Sequence, residues 1–195
     1  MPVLPLETSL FPENLFASPT FYRAGSQIWW ALHTKPRQEK SVARQLREGA
    51  VPFFLPLIAR RSVISKRVVT SHIPLFPGYV FLFGDREQRA TALATGRVVR
   101  VLEVAQQLDL WRDLFQVKQL IDTGAAIRPE GRLTAGTQVE ISSGPLAGLK
   151  GTILNEKSRR RFVVQVDFLQ QGASVLLDDF YLTPVTADGA TTRPD

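Results

Sequence analysis

Cysteine is absent from the 195-residue sequence. That excludes disulfides, thiolate nucleophiles and thiolate metal sites, and it fits a reducing cytoplasm. Histidine is scarce: His33 and His72 are the only two, and neither stands in a ligand spacing with a second donor. No glycine-rich loop is followed by the Lys-Ser/Thr that cradles a phosphate. The best carboxylate pair, Asp178-Asp179, stands before a strand end, where it caps or turns the chain. Ser71-His72 has no third group to orient a nucleophile. Neither an enzyme, a metal nor a cofactor is therefore expected. No uninterrupted apolar run is long enough to span a bilayer. The first basic residue is Arg23, and Pro2, Pro5, Pro12 and Pro19 break up any signal-like apolar segment. The expectation is a cytoplasmic monomer with no membrane partner.

Charge is plentiful and uneven. The chain carries 24 Lys and Arg against 18 Asp and Glu, a net +6 with a pI near 10.1. Residues 27–123 hold 15 of the cations and 8 of the anions, leaving 9 and 10 for the rest. The basic excess, +7 against −1, thus belongs to the middle of the chain, where it would attract a polyanion.

Patterning divides the chain further. Residues 1–26 mix proline with scattered Leu and Phe and form an extension. It is extended or weakly docked, with Leu10, Phe11, Leu15 and Phe16 available to pack on the next domain. Residues 28–33 alternate as a strand. Thr34 offers an N-cap and Pro36 a first-turn position for a helix with Val42, Ala43, Leu46 and Ala50 on one side and Gly49 at its stop. Residues 52–59 and 63–69 are strand-like and flank Arg60-Arg61. Pro74 and Pro77 bracket a turn before a strand over 79–83. Asp85 and Gln88 form a capping pair for a short helix. A strand follows over 98–104. Asp109 then caps a helix with a Leu110, Leu114, Val117, Ile121 stripe. These elements over 27–123 predict an α+β domain, helices flanking one mainly antiparallel sheet.

Residues 124–133 lack periodicity and serve as a linker. Beyond them helical pattern disappears. Short β-prone segments around Val139 and Ile141, 152–154, 164–168 and 175–177 predict a small all-β barrel over 134–186. A polar tail covers 187–195. The barrel centres on Val139-x-Ile141-x-x-Gly144-Pro145-x-x-Gly148-x-x-Gly151. Here each glycine permits a tight reversal or the close approach of another backbone. Phe168 shares parity with Val164 and Val166, as a core residue would. Lys157, Arg159, Arg160 and Arg161 form a basic turn.

This glycine spacing between apolar strands resembles the KOW motif of SH3-like barrels in transcription and translation proteins. Ile28-Trp29-Trp30-Ala31-Leu32-His33-Thr34-Lys35-Pro36-Arg37-Gln38-Glu39-Lys40 resembles the opening strand and helix of the NusG N-terminal domain. Pro74-Leu75-Phe76-Pro77-Gly78-Tyr79-Val80-Phe81 is similar to that domain's Pro-x-Phe-Pro-Gly-Tyr-x-Phe segment. The three occur in family order across roughly 27–186. The long extension and basic domain suggest a specialised paralogue of the RfaH/UpxY kind.

The resemblance implies a transcription elongation or antitermination factor. Its N-terminal domain would dock on the clamp helices of the largest RNA polymerase subunit through Phe76, Tyr79 and Phe81. Phe81 also shares a strand face with Phe83, a pattern that equally fits a core. Lys35, Arg37, Gln38 and Arg44 fall where specialised relatives read the non-template DNA strand. Arg60, Arg61, Lys66 and Arg67 add charge nearby in sequence, and a solvated basic face accounts for all eight equally well. Phe168 falls where housekeeping members present an aromatic ring to Rho or to a small-subunit ribosomal protein. Two departures stand out: Thr95-Gly96-Arg97-Val98 replaces Thr-x-Gly-Val, which puts a DNA role for Arg97 in doubt, and Leu146 replaces the usual Phe. The alternative is a ribosome- or RNA-binding KOW protein acting in translation. The β-branched, Gly-rich barrel sequence predicts stable β structure with no helical form.

Overall fold

The computed structural model describes residues 7–17, 27–64, 66–130, 136–144, 146–156, 159–176 and 182–184. The chain divides into two compact units, Met1–Trp111 and Arg112–Asp195.

In the first unit, β1 (Leu10–Phe11), β3 (Phe53–Phe54), β6 (Tyr79–Gly84), β2 (Ile28–Thr34) and β7 (Val98–Glu103) form a five-stranded sheet in that spatial order. Every pairing in it is antiparallel. Side chains alternate across a strand, so the sheet has two different faces. Trp30, Leu32, Phe53, Val80 and Leu82 meet Val42, Ala43 and Leu46 of α1 (Glu39–Glu48) and Ala92 of α2 (Arg86–Ala94). The other face is aromatic. Trp29 contacts Phe83 at 5.3 Å between centroids, and Phe76 meets Phe81 edge-on at 6.1 Å.

Residues 7–17 of the extension dock on this aromatic face. Strand β1 adds an edge by pairing Leu10 with Phe54 and Phe11 with Phe53. Leu15 and Phe16 are buried. Phe16 stacks on Trp29 at 5.6 Å, meets Phe54 edge-on at 5.2 Å and lies 6.4 Å from Trp111. Of the two arrangements the sequence allows for residues 7–17, packing on the domain is the one found.

Several boundaries differ from expectation. Thr34 does not cap α1. Its side chain is buried and its N–H donates to the Gly78 carbonyl at 2.8 Å, which keeps it in β2. The helix starts four residues later, after Gln38, which makes no side-chain capping bond. Arg60 and Arg61 do not separate two strands. They lie inside β4 (Leu57–Ile64), which pairs along its length with β5 (Arg67–Pro74). By contrast, Asp85 and Gln88 form the expected reciprocal capping box on α2.

Helix α3 (Gln107–Asp122) runs across the division between the units. Its first residue ties it to the sheet: Gln107 accepts from the Trp29 N–H at 2.7 Å and donates to the Trp29 carbonyl at 3.0 Å. Leu110, Leu114, Val117 and Leu120 are buried, whereas Ile121 is only partly so.

The second unit holds a six-stranded antiparallel sheet. Its order is β13 (Leu182–Pro184), β9 (Thr137–Ile141), β10 (Lys150–Glu156), β11 (Arg159–Val166), β12 (Gln171–Leu176), β8 (Arg128–Glu130). Strand β8 lies inside the segment expected to be linker. Its Glu130 accepts from the Ser174 hydroxyl at 2.6 Å and stands 3.7 Å from the buried Arg161 guanidinium. Arg161 also donates to the Ser174 hydroxyl at 2.7 and 2.9 Å. The basic turn expected around Arg160 and Arg161 is thus a strand, and Arg161 is internal because its charge is paired there. Val139, Ile141, Ile153, Phe162, Val164, Val166, Ala173 and Val175 supply the buried apolar side chains of the strands. Gly144 and Gly148 take φ of +85° and +84°. Pro145, Lys157 and the tail lie outside the described residues.

Two stability outcomes follow from this packing. Phe16→Ala removes a ring enclosed by three aromatics and should cost about 3–5 kcal/mol in denaturant unfolding of the full chain; a loss under 1 kcal/mol would show that the extension is not docked. A Cβ at Gly151 would collide with the Val163 carbonyl and the Phe162 ring at 2.8 Å. Gly151→Ala should therefore raise amide exchange selectively across β10 and β11, whereas Gly96→Ala, strained at φ +67° but in the first unit, should leave those strands protected.

Candidate functional site

Of the three residues expected to dock a partner, Phe76 and Tyr79 end one tight turn and Phe81 follows in β6. Phe76 to Tyr79 closes with a Tyr79 N–H to Phe76 carbonyl bond of 3.1 Å, with Pro77 second and Gly78 third at φ +84°. Proline fixes the second position of a type II turn, and glycine takes the left-handed third without strain. Three bonds then fasten the turn to the domain. The Leu75 N–H donates to the Pro56 carbonyl at 2.8 Å, the Thr34 N–H to the Gly78 carbonyl at 2.8 Å, and the Gly78 N–H to Glu39 Oε1 at 2.7 Å. Glu39 is buried at the start of α1, so its carboxyl is committed to this contact.

The turn sorts its aromatic rings. Phe76 and Phe81 are interior, 1% and 0% exposed. This corrects the expectation that both lie on a contact surface: parity places Phe81 on the aromatic face that the extension and Trp29 help to close. Tyr79 remains partly exposed at the start of β6, and the exposed His33 ring leans against it at 5.3 Å. The accessible aromatic element is therefore Tyr79 with His33. Sequence reasoning missed both His33 and Glu39. Only the direct pairing of His33 with Tyr79 across β2 and β6 would have revealed the former.

The expected nucleic-acid residues form two groups on different elements. Lys35 and Arg37 are exposed on the connection into α1, with Arg37 at φ +62°, while Gln38 is partly buried. Arg44 is exposed but pairs with Glu7 of the extension at 3.2 Å, next to an Arg47–Thr8 hydrogen bond. Arg97 turns back on the domain, donating to Gln45 Oε1 at 3.3 Å and the Thr95 carbonyl at 3.0 Å. That agrees with the doubt raised by its unusual sequence context. Arg60, Arg61, Lys66 and Arg67 belong to the β4–β5 hairpin, and all four are exposed.

In the second unit Phe168 does not continue β11. It lies in the 3-10 turn Asp167–Leu169 and is partly exposed, so the parity argument that made it core fails. The adjoining Asp167 N–H donates to Asp113 Oδ2 at 3.1 Å, and the Lys150 N–H donates to Gln116 Oε1 at 2.7 Å. Among the described residues no three His, Asp or Glu side chains converge to hold a metal. No described helix is long and apolar enough to cross a membrane.

The chain is similar to known proteins. The family model "Transcription termination factor nusG" matches residues 27–113, the stretch that holds the five-stranded sheet's β2 to β7 and the braced turn. The transcription termination/antitermination protein NusG of Thermus thermophilus is 29% identical over 175 residues, covering 77% of this chain and 94% of that protein. A Thermotoga maritima NusG structure covers 77% of this chain and 93% of its own at 18% identity, TM-score 0.45. An MjSpt4:Spt5 complex structure covers 86% of this chain and 100% of its own at 15% identity, TM-score 0.25. Residues 27–113 thus match the NusG family model, and the chain is similar to a NusG protein over 77% of its length.

Proposed function

We propose that this chain is a NusG-family transcription elongation and antitermination factor that works by binding alone. Its first unit docks on the clamp helices of the largest RNA polymerase subunit. Tyr79, with His33 beside it, forms the contact, and Phe76 and Phe81 support it from the interior. The observation that carries this reading is the Phe76–Tyr79 turn, which leaves one aromatic residue at the surface and fixes its backbone from three directions. Tyrosine suits such a role because it brings large contact area and a polar tip at little conformational cost.

The cations divide the remaining work. Lys35, Arg37, Gln38 and Arg44 approach the non-template DNA strand, and Arg60, Arg61, Lys66 and Arg67 add phosphate attraction. The second unit acts as an SH3-like KOW barrel that recruits a small-subunit ribosomal protein or Rho through the surface around Phe168. The protein acts as a cytoplasmic monomer without cofactor. The docking of residues 7–17, with the Glu7–Arg44 pair, supports a specialised role within the family.

Tyr79→Ala should keep the fold and weaken association with core RNA polymerase at least tenfold in a pull-down or anisotropy titration; unchanged binding by the folded variant would defeat the docking assignment. Glu39→Gln should weaken the same association less, because the turn loses one charge-assisted bond while Tyr79 stays in place. An effect of Glu39→Gln equal to that of Tyr79→Ala would mean the turn collapses without the carboxylate.

A further inference from the structure

The β4–β5 hairpin carries something its charges do not explain. Its base is rooted in the domain, with Leu57 and Ile58 buried. Beyond them, residues 59–61 and 66–71 are exposed on both strands. Val63 and Val68 are 74% and 70% exposed, and they stand directly opposite each other one pair short of the tip. Val69 is 42% exposed and belongs to the opposite face. Two-stranded ribbons with no core behind them are marginal in water, and opposed valines at the end of one gain nothing from solvent. Around them stand Arg60, Arg61, Lys66 and Arg67. No acidic residue occurs anywhere in 49–84.

From this arrangement we infer that the distal β4–β5 hairpin enters a groove of duplex DNA, with Val63 and Val68 against base edges and the four cations on flanking phosphates. This rests on the nucleic-acid part of the proposal above and is independent of its polymerase part. Shape supports it. The paired segment from Ala59↔His72 to Ile64↔Arg67 extends about 17 Å at the rise of an antiparallel strand, and the B-form major groove is about 8.5 Å deep and admits a two-stranded ribbon. A-form RNA offers only a narrow, deep major groove that such a ribbon does not enter. Single strands are bound on stacking aromatics, and residues 59–72 contain no Phe, Tyr or Trp. Chemistry supports it too. Methyl groups of valine match thymine methyls, while arginine and lysine match phosphate.

The test uses the full chain and fluorescence anisotropy with a mixed-sequence DNA duplex, the RNA duplex of the same sequence and the single DNA strand. The wild type should prefer the DNA duplex about tenfold over the RNA duplex, and hairpin variants should leave single-strand binding unchanged. The double variant Val63→Thr, Val68→Thr retains strand propensity and shape. It should lose roughly fivefold in duplex affinity through the two methyls exchanged for hydroxyls, with an unchanged salt slope. Arg60→Ser, Arg61→Ser should instead flatten the salt dependence by about two phosphate contacts. Unchanged melting of each variant confirms folding. Equal affinity for DNA and RNA duplexes, single-strand affinity that falls in the valine variant as far as duplex affinity does, or valine variants that bind duplex DNA as the wild type does would each overturn the inference. So would loss of polymerase association in the valine variant with DNA binding intact, since the hairpin would then be a protein contact. Polymerase association that survives in every hairpin variant, alongside failed DNA selectivity, removes only this inference and leaves the docking proposal standing.

Discussion

A buried carboxylate braces the turn that leads into Tyr79. Glu39 opens α1, is almost fully enclosed and accepts the Gly78 N–H at 2.7 Å. Removing such a group from water is costly unless a donor replaces the lost solvent. Here the donor is a backbone amide that the left-handed φ of Gly78 turns towards the helix. The same glycine's carbonyl accepts from Thr34, so helix α1, strand β2 and the turn into β6 meet at one residue. Tyr79 follows directly on that junction, at the first position of β6.

The sheet's two faces explain the rest of the first unit. One is closed by the apolar sides of α1 and α2. The other carries more aromatic surface than the body of the domain covers, and the extension completes it. Strand β1 satisfies backbone groups along β3, and Phe16 occupies the gap among Trp29, Phe54 and Trp111. Sheet edges left bare invite foreign pairing. A short strand from the same chain, fastened by Glu7 to Arg44 and by Thr8 to Arg47, covers this one. The second unit solves a related problem with polarity. Arg161, Ser174 and Glu130 satisfy one another inside it, which draws β8 into the sheet.

Much of this was legible because local rules and tertiary structure agree. The β2 and β6 strands, the Asp85–Gln88 capping box, the apolar side of α1 and the special glycines Gly144, Gly148 and Gly151 follow from residue type and spacing. The misreadings share a cause: a tertiary partner outbid a local preference. Thr34 has the chemistry of an N-cap, but its amide is claimed by Gly78. Arg161 has the look of a solvated turn, but Ser174 and Glu130 wait for it across the sheet. Phe168 has the parity of its strand neighbours, but the strand ends at Val166. Of the expected docking rings, two are interior and one is accessible. Pattern alone cannot separate them, because Tyr79, Phe81 and Phe83 share one face and only the cover over that face distinguishes them.

The proposed docking surface is smaller than the sequence suggested, a single tyrosine with a histidine beside it on a braced turn. Photocrosslinking tests that claim most directly. A benzoylphenylalanine placed at position 79 of the full chain, irradiated with core RNA polymerase, should form a covalent adduct that maps to the clamp helices of the largest subunit, while the same group at exposed position 99 should not. Absence of an adduct from position 79, or an adduct confined to another subunit, would contradict the account.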